Sequence, residues 1–170
     1  MGHWDERPSP AERLDIRMTP NTWLSNGWEA SSRYFMEQLE QIVAPGCRVC
    51  DIGTGSGILA IAAAKLGAGY VVATDLHPDA AAAAKENVKA NGLEAVVKVA
   101  VATLPTTDEP FDLVIANVGT PGFWETYGAE IKRICRGTVL LSVSPTAIPD
   151  ELSHAPMTLV REVAVVRARL

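Results

Sequence analysis

Asp51-Ile52-Gly53-Thr54-Gly55-Ser56-Gly57 sets an acid and three alternate glycines directly after the apolar pair Val49-Cys50. Glycines in such a turn adopt backbone angles closed to other residues, and without Cβ atoms they let the main chain approach a ligand closely. Asp51 falls at the carboxyl end of a predicted strand, where open α/β sheets bind their ligands. The chemistry this pattern suits is the holding of a nucleotide-like molecule. A second acid, Asp75, lies 18 residues beyond Gly57, near the spacing at which a carboxylate accepts hydrogen bonds from ribose hydroxyls. The same spacing argues against two common alternatives. A dinucleotide fingerprint needs a glycine at position 58, where Ile58 stands, and a triphosphate loop needs a lysine after its glycines, where none follows.

The elements that must position these residues follow a βαβ rhythm. Ile58 to Leu66 is apolar and Ala-rich, as expected of a helix packed closely on a sheet, and Gly67-Ala68-Gly69 ends it. Tyr70 to Asp75 reads as a second buried strand with the acid at its tip. His77-Pro78-Asp79 opens a second helix that stops at Asn91-Gly92. Further strands are predicted at Ala95–Val101, Phe111–Val118 and Thr138–Ser144, with a helix from about Trp124 to Cys135 before the last. Met157 to Leu170 reads as one long strand or a tight pair.

The chain has 170 residues, 48% of them hydrophobic, which suits a single domain with one sizeable core. Its net charge of -5 argues against a general attraction to nucleic acid. No apolar run approaches the roughly 18 residues of a membrane span, and the amino terminus lacks a signal-peptide core, so a cytoplasmic, membrane-free setting is expected. Cys47 and Cys50 have C-x-x-C spacing, but with Cys135 they make only three thiols. A zinc site wants four ligands, so no metal is expected and free thiols are the better reading.

Across roughly residues 24 to 144 the chain resembles the class I, Rossmann-like S-adenosylmethionine (SAM) dependent methyltransferases. The branch it resembles most is that of the ribosomal-protein lysine and N-terminal amine methyltransferases and their small-molecule relatives. The likeness rests on DIGTGSGILAIAAAKLGA, on ATDLHPDAAAAAKENVKANG and on FDLVIANV. It extends upstream to Gly27-Trp28-Glu29-Ala30-Ser31-Ser32-Arg33, where the branch carries Gly-x-His-x-Thr-Thr-Arg; Glu29 stands in place of the histidine. The resemblance implies an α/β fold with a doubly wound, mostly parallel sheet, an N-terminal helical lid and a shortened C-terminal end. It implies SAM as cofactor, with S-adenosylhomocysteine as product. Asp51 with Gly53, Thr54, Gly55 and Gly57 would surround the methionine end, Asp75 would take the ribose hydroxyls and Leu76 would pack on adenine. Where the family often has an acid near the adenine amino group this chain has Val101-Ala102-Thr103-Leu104, so Ala102 and Thr103 are the candidates there. Asn117, at the end of the fourth strand, would bind the methionine amino group or the substrate.

The expected organisation is one methyltransferase domain over residues 1–170: a lid and substrate segment at 1–45, a SAM-binding core at 46–144 and a shortened strand region at 145–170. Trp28, Glu29, Asn117, Phe123 and Trp124 are the candidate acceptor contacts, because aromatic residues cluster before the first strand and after the fourth. Glu29, Glu125 and His154 are candidate bases, and none is assigned. The short acidic chain, without the large recognition domain of the ribosomal-protein enzymes, points to a small-molecule or peptide acceptor. A SAM-binding protein without methyl transfer, or a protein amine methyltransferase, is the alternative. An unpaired strand at the carboxyl end would offer an edge for a homodimer.

Overall fold

The computed structural model describes residues 10–20, 29–160 and 163–170. One seven-stranded sheet has the order β3-β2-β1-β4-β5-β7-β6, with β1 Arg48–Ile52, β2 Tyr70–Asp75, β3 Val97–Val101, β4 Phe111–Ala116, β5 Cys135–Val143, β6 Met157–Val160 and β7 Val163–Arg169. The first five strands pair in parallel, and β7 runs antiparallel between β5 and β6. The crossover from β3 to β4 carries the chain over β2 and β1. This reversal of winding next to β1 is where an open sheet leaves a crevice at its strand ends.

Alternation along the strands sorts the core into two layers. Val49, Leu113, Ile115 and Leu140 face α2 (Ala30–Ile42), α3 (Ile58–Lys65) and α4 (Pro78–Ala90). Cys50, Ile52, Val114 and Leu141 face α5 (Phe123–Ile134). Helix α3 is apolar on every side because it lies between the sheet and its neighbours, and Ile58 through Ala63 are all buried. Helix α2 is amphipathic and enters the core through Phe35, Met36 and Leu39, each 0% exposed. A short α1 (Pro10–Arg13) docks on it through the Arg13–Glu40 ion pair at 2.8 Å.

One strand boundary departs clearly from the sequence reading. Strand β5 starts at Cys135 rather than Thr138, directly out of α5. Arg136-Gly137 reads as a break, yet the register with β4 shifts between Phe111 and Leu113, and Arg136 pairs with Asp112 at 2.8 Å across that irregularity. The carboxyl end takes the tight-pair alternative, β6 and β7 antiparallel, preceded by the single 3-10 turn Asp150–Leu152. The expected unpaired terminal strand is therefore corrected: β7 has a partner on both sides. No helix among the described residues is long and apolar enough to cross a membrane.

Candidate active site

Strand β1 ends by turning through Gly53, Gly55 and Gly57, with φ of 67°, 55° and 83°, a left-handed conformation that glycine alone adopts at little cost. Gly57 caps α3, and a Cβ there would lie 3.2 Å from that of Ala84 on α4. A Cβ on Gly53 would overlap Val118, just beyond β4. The turn is thus pinned between α4 and the end of β4.

Two buried acids organise it. Asp75, 8% exposed at the tip of β2, accepts the Gly55 N–H at 2.9 Å through one oxygen and the His77 N–H at 2.9 Å through the other. It both caps its own turn and holds the glycine turn, and a carboxylate's remaining lone pairs stay available to hydroxyl donors. Asp51 is 1% exposed and accepts the Thr54 hydroxyl at 2.6 Å. Burial pushes its carboxyl up to about 7; the Thr54 hydroxyl and the Ala60 N–H pull the other way, and the charge of Asp75 adds to the rise. Thr54 orients Asp51 with its side chain, while its N–H donates to Thr74 O at 2.9 Å.

Beyond Asp75 the surface turns apolar. Leu76 is 65% exposed and Val101, opposite Asp75 in the β2–β3 register, is 52% exposed. The Ala102 N–H closes onto Asp75 O at 2.9 Å, and Thr103 gives its carbonyl to the Thr74 hydroxyl at 3.1 Å. An apolar shelf beside a ribose-type acid is what an adenosine group would cover. In the turn itself Ser56 Oγ is buried with no hydrogen-bond partner among the described residues.

Asn117 follows β4 and directs its amide NH2 to the hydroxyls of Ser31 and Ser32, in the first turn of α2, at 3.5 and 3.4 Å. Ser142 of β5, buried at 2% exposure, accepts the Gly119 N–H at 3.0 Å and so fixes the turn after Asn117. Sequence reasoning missed Ser142, whose only signal is a hydroxyl in an otherwise apolar strand. It also missed Asn87, a buried amide in an Ala-rich helix, which donates to Ser56 O at 2.8 Å.

Among the described residues, the aromatics expected to line an acceptor pocket lie in the core. Phe123 and Trp124 are 9% and 6% exposed and belong to the core under α5. Trp124 is clasped there by Lys132, whose Nζ lies 5.9 Å from the ring and pairs with Glu151 at 2.7 Å. Trp28 lies outside the described residues. Glu29 is exposed at the N-cap of α2 and Glu125 is exposed on the first turn of α5. His154 is exposed and follows Glu151, which is tied to the last turn of α5, toward the sheet end opposite the glycine turn. A groove of about 560 Å³ between α2 and the β5-β7-β6 strands shares no residue with the acid and glycine cluster. Cys47, Cys50 and Cys135 are free, and burial raises all three thiols.

Residues 1–121 match the family model described as Ribosomal protein L11 methyltransferase (PrmA). The chain belongs to that family. It is 45% identical over 116 residues to the ribosomal protein L11 methyltransferase of Symbiobacterium thermophilum and 41% identical over 115 residues to that of Dechloromonas aromatica. Each match takes in 68% of this chain and 38% of the relative, so the chain spans well under half the length of these curated relatives. The crystal structure of a ribosomal protein L11 methylase from Lactobacillus delbrueckii subsp. bulgaricus superposes with a TM-score of 0.76 at 28% identity, over 91% of this chain and 84% of that one. A putative RNA methyltransferase from Pyrococcus horikoshii shares the fold, with a TM-score of 0.65 at 18% identity over 92% of this chain and 95% of that one. This membership in a SAM-dependent methyltransferase family agrees with the class read from the glycine turn. It overturns the small-molecule acceptor, since the family is named for a protein acceptor. That acceptor is ribosomal, which also removes the ground for excluding nucleic acid from the partners.

Proposed function

We propose that this chain transfers a methyl group from SAM to an amino group of a protein acceptor of the ribosomal protein L11 type. The observation that carries the acceptor chemistry is Asn117. Its NH2 is turned to Ser31 and Ser32, which leaves the amide oxygen as an acceptor at the strand end beside the glycine turn. An amine N–H presented there has a partner.

The cofactor fits the residues present: two acids at adjacent strand tips, a turn that side chains would fill, and an exposed apolar shelf at Leu76 and Val101. Asp75 would receive the ribose hydroxyls, Leu76 and the Ala102–Thr103 backbone would flank adenine, and Asp51 with Gly53 to Gly57 would face the methionine end. When bound, SAM would supply an electrophilic sulfonium methyl, which passes to an amine lone pair as the C–S bond breaks, S-adenosylhomocysteine leaves with that electron pair and the nitrogen gives up a proton. The protein's share is positioning, which supplies on the order of 7–11 kcal/mol in well-oriented reactions. The amine must also be neutral. A lysine-like amine at pH 7 is about one part in a thousand neutral, a cost of roughly 4 kcal/mol. Asn117 would accept an N–H from the amine once it is neutral.

The test is incubation of the purified chain with methyl-labelled SAM and ribosomal protein L11, followed by peptide mass spectrometry. Added methyl groups on L11 amines are expected. Absence of label from L11, with S-adenosylhomocysteine binding intact in calorimetry, sinks the acceptor assignment.

A further inference from the structure

Residues Leu14 to Thr19 form a strap laid across α3 and α4, entered by a turn in which Asp15 takes a φ of 48° and gives its N–H to Glu12 O at 3.1 Å. Leu14, Ile16 and Met18 pack on the core. From Asp15 O onward the strap's polar backbone is met by side chains. Lys65 Nζ donates to Asp15 O at 2.8 Å. Asn91 takes the Arg17 N–H on Oδ1 at 3.0 Å and donates its NH2 to Arg17 O at 2.7 Å, as a neighbouring strand would. Four residues earlier on the same face of α4, Asn87 Oδ1 accepts both the N–H and the hydroxyl of Thr19, each at 2.8 Å.

Asn87 does not end there. Its NH2 donates at 2.8 Å to Ser56 O, inside the glycine turn, and the residue is 1% exposed. One buried amide thus joins the strap to the turn. We propose that Leu14 to Thr19 is a positioning element of the adenosyl site, with Asn87 as the relay that couples strap docking to the shape of the glycine turn. Asn87 is a positioning residue, acting through Ser56 and not on the ligand itself. The inference rests on the adenosyl reading of the turn. Coupling of this kind is reciprocal: ligand binding must tighten the strap by the factor by which the docked strap tightens ligand binding.

Two variants separate the parts. Asn87→Asp keeps the oxygen that Thr19 needs and removes the donor to Ser56, whereas Asn91→Ala removes the strap's bonds to Asn91 and one bond to the Asn87 carbonyl at 2.8 Å but leaves the Asn87 side chain and its bond to Ser56 in place. Calorimetry with S-adenosylhomocysteine and amide hydrogen exchange of Arg17 and Thr19 are read together, on the full chain. In the wild type the ligand is expected to slow exchange at both amides. Asn91→Ala is expected to speed exchange at Arg17 and raise Kd at least fivefold. Asn87→Asp is expected to raise Kd while the ligand no longer slows exchange in the strap. Wild-type Kd in Asn91→Ala, whether or not its strap exchanges faster, overturns the relay, as does wild-type strap exchange indifferent to ligand. Failure of the wild type to bind the ligand at all would instead sink the adenosyl reading, so the two failures are distinct.

Discussion

The half of the sheet from β1 to β3 and the half from β4 to β7 hold their polar groups in different ways. In the first, one turn and two acids from a single stretch, Asp51 to Asp75, bind one another directly through Asp75 to Gly55 and Thr54 to Asp51. In the second, Asn117 meets Ser31 and Ser32 from a helix before the sheet at 3.5 and 3.4 Å, and the turn after it is held by the Gly119 N–H donating to Ser142 of the next strand at 3.0 Å. The first half is a local structure built for one shape of ligand. The second is assembled by tertiary contacts between distant segments, with longer hydrogen bonds from Asn117.

The largest effect expected in the first half is electrostatic. Folded Asp51, with its carboxyl near 7, keeps a proton that the unfolded chain releases near 3.8. The stability it contributes is therefore full below about 3.8 and lost as pH rises through about 7, a change on the order of 4 kcal/mol. Denaturant unfolding of the free protein at pH 4.5 and 8 should show this fall in the wild type and not in Asp51→Asn. Equal slopes in the two proteins would mean Asp51 is ordinarily ionised.

Next comes Asp75→Ala, which removes the proposed ribose acceptor and the tie to Gly55. S-adenosylhomocysteine affinity should drop on the order of 100-fold, in line with losing hydrogen bonds to a charged group. Unchanged affinity would leave Asp75 as a turn cap only. Asn117→Ala should behave oppositely, lowering kcat about 30-fold while Kd for S-adenosylhomocysteine stays within about threefold. A large Kd change would move Asn117 into the cofactor half and blur the contrast drawn above. The smallest effect is expected for Leu76→Ala, about fivefold in Kd from roughly 1 kcal/mol of lost apolar cover. Because Leu76 is 65% exposed, Tm should hold; a clear fall in Tm would make it a packing residue.

The same contrast explains what could be read from the amino acids alone. The first half was legible because glycine spacing, the acid at the end of Tyr70–Asp75 and the Pro78 helix start are local signals, and all three elements appear where expected. Phe123 and Trp124 were misread because a pair of aromatics after a strand looks alike whether it faces solvent or core; the amphipathic packing of α5 decides it. Asn87 was passed over because its partners, Thr19 and Ser56, lie 68 and 31 residues away. The start of β5 was hidden by Arg136 and Gly137, two residues set against the single Asp112 where the register with β4 slips.

The insertion of β7 between β5 and β6 also sets a schedule. As the chain leaves a ribosome, β6 is made before the strand that will seat it, and it can pair with nothing in the sheet until β7 has followed. β5 waits likewise, holding one hydrogen-bonding edge open beside β4 while Leu140 and Leu141 are already in place for the core. One strand thus satisfies two edges at once, and without β7 both β5 and β6 would leave an edge open to pairing with another chain.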